Sequence, residues 1–154
     1  MSKSASSLER MKHLLDTGIG ADVHFLVGGG DEKELLPAHK VILMAASDVF
    51  AAMFPFDEEN AKSAAAGTAK EVKPVEVPDV EAGAFKVMLS FIYADDLSGL
   101  NGDNAVVVLY AAKIYEVAGL IKACVDFPIW KLNNVFFALD RARFLEEEVL
   151  LLIN

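Results

Sequence analysis

The sequence predicts an α+β domain, a small three-stranded sheet beside a helical bundle. Three observations carry that prediction. At 154 residues the chain buries roughly 68% of its unfolded surface, which is one cooperative core. Short runs of period two occur at Ala21–Val27 and around Val75–Val77. The longer segments between and after them place apolar residues at helical spacing.

The elements follow in order. Ser6-x-x-Glu9 is a capping box, so a helix begins there, with Leu8, Met11, Leu14 and Leu15 on one stripe and Gly18 as its left-handed stop. Val23, Phe25 and Val27 then share one strand face, and Asp22, His24 and Leu26 share the other. Gly28, Gly29 and Gly30 break that strand, and Lys33–Pro37 returns as the second arm of a hairpin. Between His39 and Phe54 the pattern is helical, but Ser47 before Asp48 is a cap signal, so two short helices are expected to meet at Ser47. Val41, Ile42, Met44 and Ala45 are expected to be largely interior.

Glu59–Lys73 is rich in alanine and lysine without apolar periodicity and predicts a surface loop. Val75–Val77 is the third strand, ended by Pro78. Asp79 is then expected to cap a helix carrying Phe85, Met88, Leu89 and Ile92. Asn101-Gly102-Asp103 makes a turn and cap. Val107, Tyr110, Ala111, Ile114 and Ala118 mark a further helix face, with a buried strand as the competing assignment because of Val106–Val108. Leu120–Leu132 is helical in pattern and should kink or end near Asp126, because Pro128 lacks an amide donor. A final helical pair is expected from Asn133 or Asn134 onward. The sequence stops inside the apolar run Val149–Ile153, so more helix is expected beyond it.

Composition narrows the function classes. A net charge of −9 repels phosphate backbones, so no nucleic-acid partner is expected. The single cysteine, Cys124, and three scattered histidines offer no zinc ligand set and no nucleophile–base pair, so neither a cofactor nor catalysis is expected. Mean hydropathy is high at +0.35, yet no apolar run is long enough to span a bilayer, and Met1–Ser7 lacks the apolar run of a secretory signal. Apolar excess without a membrane segment points to surface covered by a partner polypeptide. At Met53-Phe54-Pro55-Phe56-Asp57-Glu58 two phenylalanines stand beside acids at a helix end. They either tuck under the following loop or form an exposed aromatic anchor.

Ala21-Asp22-Val23-His24-Phe25-Leu26-Val27, Pro37-Ala38-His39-Lys40-Val41-Ile42-Leu43 and Ser47-Asp48-Val49-Phe50-Ala51-Ala52-Met53-Phe54 resemble consecutive signatures of the BTB/POZ domain. Val77-Pro78-Asp79-Val80, Phe85 to Tyr93 and Tyr110-Ala111-Ala112-Lys113-Ile114-Tyr115 continue the likeness, which covers residues 7–132. Residues 133–154 resemble the start of the BACK, or three-box, helical region.

The resemblance implies a homodimer formed by the first helix, with Leu8, Met11, Leu14 and Leu15 at the interface. It also implies that Asp22 and Lys40 line a pocket beside it; a structural ion pair is the alternative. It further implies binding of the amino-terminal helices of the cullin-3 ubiquitin-ligase scaffold through Phe54, Phe56 and Glu58, in a non-enzymatic adaptor that is cytoplasmic, with the nucleus as a second location. The ubiquitination substrate would be held by a region outside this chain. A corepressor-binding dimer and a purely structural oligomerisation module are the alternatives.

Overall fold

The computed structural model describes residues 3, 5–54 and 73–127. Among the described residues the elements follow in order: α1 (Ser7–Thr17), β1 (Val23–Val27), β2 (Glu34–Ala38), α2 (Lys40–Ala46), α3 (Asp48–Met53), β3 (Val75–Val77), α4 (Ala82–Ala94), α5 (Ala105–Ile114) and α6 (Ala118–Val125). The expected surface loop from Glu59, and the helices expected after Pro128, lie outside the described residues save for Lys73.

Local chemistry sets the boundaries. Ser6 Oγ accepts from the Glu9 amide at 3.4 Å, and Gly18, at φ 69°, closes α1 by donating its N–H to the Leu14 carbonyl. Gly28, at φ 108°, turns the chain out of β1 so tightly that a Cβ there would stand 2.5 Å from the Glu32 carbonyl oxygen. Only glycine fits that position. The strands order β2-β1-β3, with β1 antiparallel to β2 (Phe25 opposite Leu36) and parallel to β3 (Phe25 opposite Val75). A parallel pair needs a long crossover, and α2 and α3 lie within it.

The break expected at Ser47 is present. Its Oγ accepts from the Phe50 amide at 3.2 Å, capping α3, and donates to the Tyr115 carbonyl at the end of α5. Behind the sheet the rings of Phe25, Phe50, Phe54, Phe85 and Tyr115 form one cluster. Phe50 stacks on Tyr115 at 4.6 Å and on Phe54 at 5.7 Å. Such pairs contribute about 0.5–1.5 kcal/mol each beyond area burial.

Three expectations are corrected. Of α2, Leu43 alone is buried, whereas Val41 is 73% exposed, Ala45 is exposed, and Ile42 and Met44 are partly covered. A two-turn helix with four consecutive apolar residues cannot turn all of them inward. Helix α4 starts at Ala82, with Glu81 rather than Asp79 before it. The helix carrying Val107 is helical as expected, but it ends at Ile114. Glu116, at φ 51°, reverses the chain, so Ala118 opens α6 instead of continuing α5. Helix α6 ends at Val125, beside Asp126, as Pro128 two residues further on predicts.

Candidate functional site

Two helices, α1 and α2, pack against α4, and their outward faces form the candidate site. The α1 stripe splits. Met11 and Leu15 pack on the protomer's own core, while Leu8 is 54% exposed and Leu14 is half-buried. No residue of α1 is fully buried. A salt bridge fastens the helix at its middle, Lys12 Nζ to Asp96 Oδ2 at 3.0 Å. Hydrogen bonds from Ser98, and then from Lys12, hold the Asp96 carboxyl well below the usual carboxylate range. Of the four leucine and methionine positions expected at an interface, Leu8 is the exposed one and Leu14 is partly covered, whereas Met11 and Leu15 pack inward and hold α1 in place.

The start of α2 is fixed from two directions. His39 precedes the helix without a side-chain cap, and the Asp22 carboxylate supplies one from the approach to β1, where Oδ1 accepts from the Lys40 amide at 2.8 Å. An anion at a helix start is favoured by the unpaired amides there. Asp22 and Lys40 are therefore joined through the Lys40 backbone amide. The Lys40 ammonium lies 5.8 Å from the centroid of the Phe54 ring.

His39 is itself a buried junction. Its Nε2 faces the Ile19 carbonyl oxygen at 2.7 Å and so carries the proton. Its Nδ1 then accepts from the Tyr93 hydroxyl at 2.8 Å, and that hydroxyl accepts from the His39 backbone N–H, also at 2.8 Å. One tyrosine on α4 thus ties together the end of α1, the start of α2 and the sheet. Burial pushes the Tyr93 hydroxyl up to about 12, so it remains a donor. Tyr93→Phe leaves two buried nitrogen groups unpaired and should destabilise the domain by about 2 kcal/mol. Urea unfolding followed by circular dichroism measures it, and an unchanged midpoint would remove Tyr93 from this role.

At the end of α3 the expected aromatic anchor divides. Phe54 is 1% exposed, inside the ring cluster, and is not a surface contact. Phe56 and Glu58 lie outside the described residues. Cys124 is buried, which pushes its thiol up to about 11, the opposite of what a nucleophile needs. Among the described residues no group of three His, Cys, Asp or Glu side chains could hold a metal ion, and no helix is long and apolar enough to cross a membrane.

Sequence reasoning missed Val41, the most exposed large apolar side chain among the described residues, and the link from Tyr93 to His39. The hairpin, the split helix pair and the returning parallel strand agree with what the signatures imply, and a family model decides the matter: that of the BTB/POZ domain matches residues 11–132. The chain belongs to the BTB/POZ family. It is 38% identical over 141 residues, 90% of its own length, to BTB/POZ domain-containing protein 6 of Xenopus laevis, and equally to the human protein of that name. It is 40% identical over 119 residues, 77% of its length, to human BTB/POZ domain-containing protein 3. The chain spans about a quarter of the length of these curated relatives. BTB/POZ domains are interaction modules that mediate self-association and partner binding. On α1 and α2 the exposed large apolar side chains are Leu8 and Val41. Residues 133–154 lie beyond the family match.

Proposed function

We propose that this BTB/POZ chain is a cytoplasmic adaptor, with the nucleus as a second location, that pairs with a second copy through α1 and α2 and recruits the cullin-3 ubiquitin-ligase scaffold. The observation that carries the pairing is the exposure of Leu8 and Val41 on two helices packed against the same α4. Large apolar side chains uncovered on neighbouring elements are the composition of an interface core. A two-fold axis would use each of them twice.

The cullin reading rests on the likeness of Phe56-Asp57-Glu58 to the family's hydrophobic-x-glutamate motif. In it Phe56 fills an apolar cullin pocket and Glu58 meets a basic group or a helix start. The start of a BACK region at 133–154 extends the same surface, and a substrate is held by a region outside this chain. The adaptor's contribution to ubiquitin transfer is then proximity, raising the local concentration of substrate.

Calorimetry against the cullin-3 amino-terminal domain tests this. Phe56→Ala should weaken binding by about 2 kcal/mol, roughly thirtyfold, with the unfolding midpoint unchanged. Equal affinity for both chains removes Phe56 from the site. No binding by the unaltered chain removes the cullin. Light scattering on the same sample separates two copies from the four or five of a purely structural assembly.

A further inference from the structure

Helix α1 differs from the other helices among the described residues in what it buries. Each of the others holds at least one side chain at 0% exposure: Leu43 on α2, Phe50 on α3, Phe85 on α4, Val108 on α5 and Leu120 on α6. Helix α1 has no buried residue. Its hold on α4 is correspondingly light. Met11 and Leu15 are only partly covered, and in the Lys12–Asp96 salt bridge the lysine side chain is 53% exposed. An ion pair so open to water contributes little.

Nor does α1 hold itself together well. It has 11 residues, short of the about 12–15 at which an isolated helix becomes even marginally stable in water. Its last turn carries Asp16 and no basic residue, against the helix dipole. Once off α4 it therefore unravels instead of moving as a rod. The chain just beyond it is fixed, by contrast. The Ile19 carbonyl accepts from the buried His39 ring at 2.7 Å, and the Asp22 amide donates to the Ala38 carbonyl at 3.1 Å. Between the loose segment and the fixed one stands Gly18 at φ 69°, a residue whose backbone moves between conformations that a side chain would forbid.

We propose that α1 is a detachable strap. It leaves α4 and unravels as one unit, pivoting at Gly18, while the sheet and helices α2 to α6 stay folded. Opening uncovers Met11 and Leu15, breaks the Lys12–Asp96 bridge and carries Leu8 away from Val41. Segments with few buried apolar contacts open in this way at a lower free energy than the domain as a whole. The strap is a property of the single protomer and does not need the pairing reading. Its regulatory consequence does rest on that reading: a second copy that covers Leu8 binds the closed form alone, so pairing closes α1 by mass action.

The test is native-state hydrogen exchange on the unaltered 154-residue chain, read amide by amide by nuclear magnetic resonance through a series of low urea concentrations. The rates are taken at the dilution below which they no longer change, so that self-association does not enter. The expected result is that the Met11 to Asp16 amides are at least about a hundredfold less protected than those of Met88, Leu89 and Val108, with one shared and shallower urea slope. Protection equal to that of the core amides, with the same slope, overturns the proposal, because α1 then opens only when the whole domain unfolds. Protection that rises residue by residue from Ser7 inward, without a shared slope, overturns it too, because that is fraying of one end. Raising the chain concentration should then slow the α1 amides and leave those of α4 unchanged. Rates indifferent to concentration remove the consequence for pairing and leave the strap standing.

Discussion

Phe54→Ala will cost the domain about 3–5 kcal/mol, the largest stability loss expected of any change near the proposed cullin surface. The ring is 1% exposed, stacks at 5.7 Å on Phe50 and meets Phe25 edge-on at 6.4 Å. Truncation leaves a cavity among rings that cannot collapse, because Phe50 is held on its other side by Tyr115 at 4.6 Å. The Lys40 ammonium, 5.8 Å from the same ring, loses its contact too. Against a typical total stability of about 5–15 kcal/mol, that is a large fraction. Urea unfolding should show a midpoint lowered by well over half a molar, on the usual slope for a domain of this size. Cullin affinity would fall as well, but through loss of folded protein. The pair of variants separates roles that adjacent sequence positions conceal: Phe54→Ala moves the midpoint, and Phe56→Ala moves affinity alone. An unchanged midpoint for Phe54→Ala would show that the ring is not in the core.

Why one of these phenylalanines misleads at the level of sequence is a matter of geometry. Phe54 follows a six-residue helix, too short for a periodic face, and the proline after it marks an ending without saying which side the last ring takes. The same shortness hides Val41. Four consecutive apolar residues in α2 carry no phase, so their common hydropathy suggests burial for all while the two-turn helix has room to bury Leu43 alone. Where the signal is a cap or a full run of alternation, the reading mostly holds. Ser6 and Ser47 cap the helices they precede, Gly18 ends α1, and the alternation of Val23, Phe25 and Val27 fixes the buried face of β1, while the cap expected at Asp79 gives way to Glu81. Contacts between distant residues were not legible. Nothing in the sequence places the Asp22 carboxylate on the Lys40 amide, or the Tyr93 hydroxyl between the two nitrogens of His39, because those meetings depend on how the sheet seats against α4. The exit of α5 at Glu116 was missed because glutamate is an uncommon residue at positive φ.

Val41→Asp should turn a dimer into a monomer while leaving the protomer folded. In the single chain the side chain is 73% exposed, so its replacement touches no core, and surface changes of this kind shift stability by about 0.5 kcal/mol or less. Between two copies the effect differs in kind. A carboxylate brought into an apolar contact without a partner loses its hydration, and a two-fold axis brings in two of them. Asp22 already accepts from the Lys40 amide at the start of α2, and the new carboxylates would add to its charge there. The dissociation constant should rise at least about a hundredfold, roughly 2.7 kcal/mol. Sedimentation equilibrium at micromolar concentration should then report a mass falling from twice 16.6 kDa to 16.6 kDa. Leu8→Asp should act in the same direction. Leu35→Asp, placed at a side chain equally exposed at 54% but on β2, should leave the mass at twice the protomer. If both α1–α2 variants stay dimeric, the face of Leu8 and Val41 is not where copies meet. If Leu35→Asp dissociates them, the sheet is.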